Sequence, residues 1–239
     1  MRLKFNKEIE FFLKKYFLPE SILLKKRLER SIKKKDENEI ELLKKFIKPG
    51  SDTIDVGVYR GVYSYEMAKY SNKVHSFEPN PIIFNYINKN LKKIVKNIVL
   101  YNYALSNKNG IYDLKVPIRN SNYNKENFEE YYKMGRATIH DKNNFDKFEK
   151  FQINTKKIDE FNFNNKISFI KIDVEGHELE VIKGALNTIE KNKPVLVIEI
   201  HPHADRTSFL KRQIIFKTLK YYGYEIEDVR RHDFVFICR

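Results

Sequence analysis

Five short clusters in the 239-residue sequence carry residue types that could do chemistry. The first, Asp55-Val-Gly57-Val-Tyr59-Arg-Gly61, sets a carboxylate beside two glycines. Gly57 lets a turn and a ligand approach the backbone closely, and Gly61 opens a helix whose first N–H groups have no helical partner. A carboxylate there repels a pyrophosphate and suits a ligand bearing an ammonium or a sulfonium. The dinucleotide spacing G-x-G-x-x-G is absent from this turn. Glu78 follows about twenty residues on, where a nucleoside-binding sheet places an acid for ribose hydroxyls. Its two oxygens can accept from both hydroxyls at once. Asn102-Tyr-Ala104-Leu105 offers two aliphatic side chains to a purine face and an amide to its edge. Lys171-Ile-Asp173-Val-Glu175-Gly176-His177-Glu178 crowds three acids and a histidine together, which is costly without a cation, donors or a function. Asp173 suits a general base or an orienter of a substrate hydroxyl, with His177 and His201 as further bases. Glu199-Ile-His201-Pro-His203 alternates, so an extended chain presents the three to one side. They could ligate a metal or exchange protons, and because the spacing is not diagnostic no metal site is assigned.

Each cluster falls at the end of an expected strand. The pattern predicts strands at Thr53–Val56, Lys73–Phe77, Ile98–Tyr101, Ile167–Ile172 and Val195–Ile198, with helices between them. Asn80-Pro81 supplies an N-cap and a proline at the first helical position, and Ile83, Ile87, Leu91 and Ile94 continue that helix. A helix over about Thr207–Tyr221 leads to a closing antiparallel pair at Tyr224–Val229 and Phe234–Ile237. The alternation implies an α/β fold with a mostly parallel sheet and helices on both faces. Residues 106–166 break it with a long polar connection, expected to bind the acceptor. Residues 1–48 read as three basic helices broken at Pro19 and ended by Pro49-Gly50. They form an expected helical cap on a main domain of residues 49–239, with a dimer arm, a lid and a membrane-surface anchor as other roles.

The net charge is +14, from 46 Lys and Arg against 32 Asp and Glu. The lysines lie in pairs and triplets between apolar positions, as on solvated helix faces, so charge alone does not make a nucleic-acid binder. No apolar run reaches the roughly 18–20 residues needed to cross a bilayer. The first residues lack an uninterrupted apolar stretch, and Cys238 is the only cysteine. The expectation is a cytoplasmic protein, with attachment to the inner membrane surface as an option.

Read in order, Asp55-Val-Gly57-x-x-x-Gly61, Ser76-Phe-Glu78-Pro-Asn80-Pro, Tyr103-Ala-Leu-Ser106, Phe169-Ile-Lys-Ile-Asp173-Val-Glu175-Gly-His177-Glu178 and Val197-Ile-Glu199-Ile-His201 resemble the FkbM family. That family is a branch of the S-adenosylmethionine-dependent class I methyltransferases. The resemblance covers about Ser51–His203. It implies a Rossmann-like, seven-stranded sheet with one antiparallel strand. It further implies that Asp55, Gly57 and Gly61 surround the methionine part of the cofactor, Glu78 holds the ribose, and Ala104 and Leu105 lie near the adenine. Asp173 through His177, including Glu175, and Glu199 would face the methyl group; Tyr59, Pro79 and Asn102 complete the expected cofactor contacts. S-adenosylhomocysteine would be the product. The family's first motif usually reads Gly-Ala-Asn, whereas this chain has Gly57-Val-Tyr59, a phenol in place of an amide.

The expected activity is O-methylation of a hydroxyl on a sugar, glycan or related small molecule, an anionic acceptor being compatible with the basic surface. Two alternatives stand beside it: an RNA methyltransferase holding phosphates with its excess charge, and a binding protein on a degenerate methyltransferase fold.

Overall fold

The computed structural model describes residues 18–34, 40–117, 137–139, 147–201 and 206–239. Strands β1 (Asp52–Val56) and β7 (Ile167–Ile172) are buried along their whole length, as central strands covered on both faces must be. Around them a seven-stranded sheet is ordered β3-β2-β1-β7-β8-β10-β9. Its members are β2 (Lys73–Phe77), β3 (Ile98–Tyr101), β8 (Val195–Glu199), β9 (Tyr224–Arg230) and β10 (Asp233–Cys238). Strand β10 runs antiparallel to both β8 and β9, and the remaining pairings are parallel. The Rossmann-like arrangement and its single reversed strand are those expected from the sequence.

Helices α1 (Glu20–Lys33), α2 (Ile40–Phe46), α3 (Val62–Met67) and α4 (Pro81–Ile94) contribute to one apolar cluster with Val74, Phe169, Val197 and Val235 of the sheet. Helices α5 (Glu178–Lys183), α6 (Leu186–Asn192) and α7 (Arg206–Tyr221) contribute to the cluster containing Ile54, Ile170, Ile198 and Phe236. The alternation of a strand's side chains therefore divides two cores, one per face. Leu24 and Leu28 of α1 and Leu42 and Leu43 of α2 are buried in the first core, so these helices share it with the sheet. The expected helix before Pro19 lies outside the described residues. Helix α4 starts as its sequence dictates: the Asn80 side chain accepts from the N–H groups of Ile82 and Ile83, and Pro81 takes the first helical position.

The polar connection contains more structure than the sequence pattern reveals. Strands β4 (Ala104–Leu105), β5 (Gly110–Pro117) and β6 (Phe148–Lys156) form a second sheet, ordered β4-β6-β5. Thr138 bridges back to Lys115 of β5. No described helix is long and apolar enough to cross a membrane.

Candidate functional site

The order of the large sheet reverses between β1 and β7, and a crevice opens there at the carboxyl ends of the strands, where open α/β sheets bind ligands. Gly57 makes the reversal possible. Its φ is +87°, and a Cβ at this position would stand 1.8 Å from the carbonyl oxygen of Asp173. Only glycine allows β1 and the Asp173 turn to approach this closely. The Asp173 N–H in turn donates to the Val56 carbonyl at 3.0 Å.

A cavity of about 370 Å³ fills the crevice, within the range of small-molecule sites. Gly57, Tyr59, Glu78, Pro79, Ala104, Leu105, Asp173, Glu175, His177 and Glu199 all face it. The structure thus brings together most of the site residues expected from the sequence.

Glu78 is fixed by backbone. Its Oε2 accepts from the Tyr59 N–H at 2.8 Å and its Oε1 from the Asn80 N–H at 2.9 Å. Burial pushes its carboxyl up to about 7, against the lowering effect of those two donors. Each carboxylate oxygen has two lone pairs, so hydroxyl donors from a ligand can still be accepted. Tyr59 pays for its part with a left-handed backbone, φ 47°, a region that Asn tolerates better than Tyr. Whatever its side chain, Tyr59 thus holds Glu78 through its backbone N–H. The Tyr59 ring faces the cavity and packs against the Arg60 guanidinium, 5.0 Å away.

Four expected residues sit behind the walls. Asp55 lies on the sheet face under α3, where Ser64 donates to it, and burial raises its pKa to about 6. It supports the turn and does not border the cavity. Gly61, at φ 79°, caps α3 with its Cα turned toward Leu91. The Asn102 amide, expected at a purine edge, donates to the carbonyls of Glu78 and Pro79 at 2.8 and 3.1 Å and so braces the turn that carries Glu78. His201 stands beyond Glu199, with its Nε2 2.9 Å from Glu199 Oε1.

His177 borders the cavity, yet its ring nitrogens are directed to the fold. Nε2 lies 2.9 Å from Ser106 Oγ, and Nδ1 lies 3.6 Å from Glu180 Oε2. The contact ties the loop after β7 to the second sheet. Asp173 and Glu199 share a side-chain hydrogen bond. Burial drives the Asp173 carboxyl well above the ordinary aspartate range. Burial also opposes charge on Glu199, but His201, Asp173 and Lys171 outweigh it and hold its pKa below the ordinary glutamate range. The two groups therefore face the cavity as a coupled pair, Glu199 the more readily ionised of the two.

Several wall residues had no sequence-level signal. Ile83 shows only as a core position of α4, while Leu114, Ala137 and Ile139 belong to the connection between β4 and β6. Thr138 Oγ1 donates to the Glu175 carbonyl at 3.2 Å and so fastens that connection to the site. Among the described residues no group of three or more His, Cys, Asp or Glu side chains is placed to hold a metal ion. His203 of the Glu199-His201-His203 reading, and His140, lie outside the described residues.

Residues 55–226 match the methyltransferase FkbM domain. Over 152 residues the chain is 30% identical to the hexuronic acid methyltransferase AglP of Haloferax volcanii, covering 63% of this chain and 56% of that one. The chain thus spans little more than half the length of that curated relative. Among solved structures, a methyltransferase FkbM from Methylobacillus flagellatus matches 83% of this chain and 50% of its own, with 18% identity and a TM-score of 0.49. A Streptococcus mutans protein in complex with SAH matches 84% and 94%, with 10% identity and a TM-score of 0.45.

Proposed function

Since the chain belongs to the FkbM methyltransferase family, we propose that it transfers the methyl group of S-adenosylmethionine to a hydroxyl of a sugar or glycan. The observation that carries the reading is the buried Glu78 carboxylate, aimed into the crevice by the N–H groups of Tyr59 and Asn80. The donor set suits this cofactor: an acid for the ribose, Ala104, Leu105 and Ile83 for a purine face, and acids for a sulfonium and an ammonium. When bound, the cofactor supplies an electrophilic methyl on a positively charged sulfur.

The chain's own work is placement. Glu78 and the Gly57 turn orient the nucleoside, and in-line alignment provides most of the acceleration. A hydroxyl oxygen becomes strongly acidic as it bonds to carbon, so a weak base beside it suffices. Asp173 and Glu199 are the groups in place to receive that proton. His177, held by Ser106, supports the loop that carries Asp173. A saccharide acceptor is favoured by the 30% identity to a hexuronic acid methyltransferase.

Incubation with methyl-labelled S-adenosylmethionine and a panel of neutral saccharides, uronic acids and RNA tests the reading. Label on a saccharide, retained through mild alkali as an ether would be, is the expected result. Label on RNA alone would overturn it.

A further inference from the structure

Lys171 is the feature that the proposed chemistry leaves unused. Its side chain is 2% exposed, at the centre of the sheet. A buried ammonium this deep is retained only with partners that offset its lost hydration. The strand register supplies them. Lys171 of β7 is paired with Asp55 of β1 on one side, and Asp233 of β10 is paired with Glu199 of β8 on the other. All four side chains lie on the sheet face that carries α3. The ammonium is ion-paired to Asp233 and lies 5.0 Å from the centre of the Tyr63 ring. Asp173 follows two residues later on the same face and is hydrogen-bonded to Glu199, which also holds His201. The groups facing the ammonium are therefore Asp55, Tyr63, Asp173, Glu199 and Asp233, with His201 behind Glu199 and Glu175 near Asp173.

We propose that Lys171 is a positioning residue for methyl transfer, its buried charge holding the Asp173–Glu199 pair at the cavity wall with one proton between the two carboxyl groups. This rests on the methyltransferase reading above. Without the ammonium, two half-buried carboxyl groups side by side take up protons more readily, since like charges repel. With it, Glu199 stays ionised while Asp173 keeps the proton. During transfer the acceptor oxygen bonds to the methyl carbon, the sulfur–carbon bond breaks with its electron pair left on sulfur, and the hydroxyl proton passes to the pair. The pair then holds two protons and returns one to solvent. Burial, which alone lowers an ammonium's pKa, is outweighed at Lys171 by the surrounding carboxylates, so the charge is permanent at working pH.

Carboxyl titration by carbon-13 NMR on the full chain tests this without any acceptor. Asp173→Asn and Glu199→Gln identify the two signals. In the unsubstituted protein, Glu199 is expected to titrate well below an ordinary glutamate. In Lys171→Met combined with Asp233→Asn, the Glu199 midpoint should rise by about one pH unit or more. The double variant removes both partners of the ion pair, so it does not strand a lone buried aspartate. A midpoint that stays put in the double variant overturns the proposal. So does an ordinary Glu199 midpoint in the unsubstituted protein, a measurement that stands if the variant fails to fold. Calorimetry with S-adenosylhomocysteine separates the two layers. The expected titration without cofactor binding would remove the role in transfer, whereas binding with an unmoved Glu199 would remove Lys171 alone.

Discussion

At Glu78 the stability of the fold meets the proposed binding of the cofactor. Its carboxyl is buried and its folded pKa, about 7, lies above the ordinary value of 4.5. The folded chain therefore holds a proton there between about pH 4.5 and 7 that the unfolded chain has released. Proton uptake by the folded state makes stability fall as pH rises across that window. The contribution is fully present below pH 4.5 and lost once pH passes about 7. Glu178 and Asp55, raised by burial to about 7 and about 6, act in the same sense, so Glu78 must be isolated by substitution. We expect the melting midpoint of Glu78→Gln, relative to the unsubstituted protein, to improve steadily from pH 5 to pH 7.5. A difference that is flat over this range would mean that Glu78 is not the buried acid described. The sequence marked Glu78 because of its distance from the glycine turn. It could not show that the Tyr59 N–H, presented by a left-handed residue, is what fixes the carboxylate.

At the scale of elements, legibility followed the range of the interactions. The central strands announced themselves as unbroken apolar runs, and α4 by an N-cap and proline adjacent in sequence; both signals are local. The β5–β6 pair did not, because its register joins Pro117 to Phe148 across thirty intervening, mostly polar residues. Its buried positions Leu114, Val116 and Ile153 alternate within a lysine- and asparagine-rich stretch that reads as loop. Strand preference depends on neighbours that such a stretch meets only after folding. The same limit hid the bracing role of Asn102, whose amide holds the Glu78 turn, and the buried ion pair of Lys171, whose partners come from other strands. Thr138 is where this second sheet engages the site, through its bond to the Glu175 carbonyl. Thr138→Val keeps the shape and removes that donor. A loss of about 1 kcal/mol, read as a fall of roughly 2–4 °C in the melting midpoint, is expected. An unchanged midpoint would show that the sheet does not brace the loop.

At the scale of the molecule, two electrostatic fields of opposite sign coexist. The chain carries +14 overall, yet the described cavity walls present Glu78, Asp173, Glu175 and Glu199 and, among the described residues, no lysine or arginine. The far field draws in anionic partners, while the walls offer a ligand acidic groups, Glu199 the most readily ionised among them. Lys171 reconciles the two by sitting beneath the acids without bordering the cavity. This arrangement fits a cationic methyl donor held by its ribose at the top of the sheet. Calorimetric titration with S-adenosylhomocysteine tests that claim most directly, since it needs no acceptor. Above pH 7, where Glu78 is ionised, the unsubstituted protein should bind, and Glu78→Gln, which keeps size but loses a charged acceptor, should bind at least about tenfold more weakly, a difference of about 1.4 kcal/mol. Equal affinity in the two proteins, or no heat of binding in either, would contradict the account.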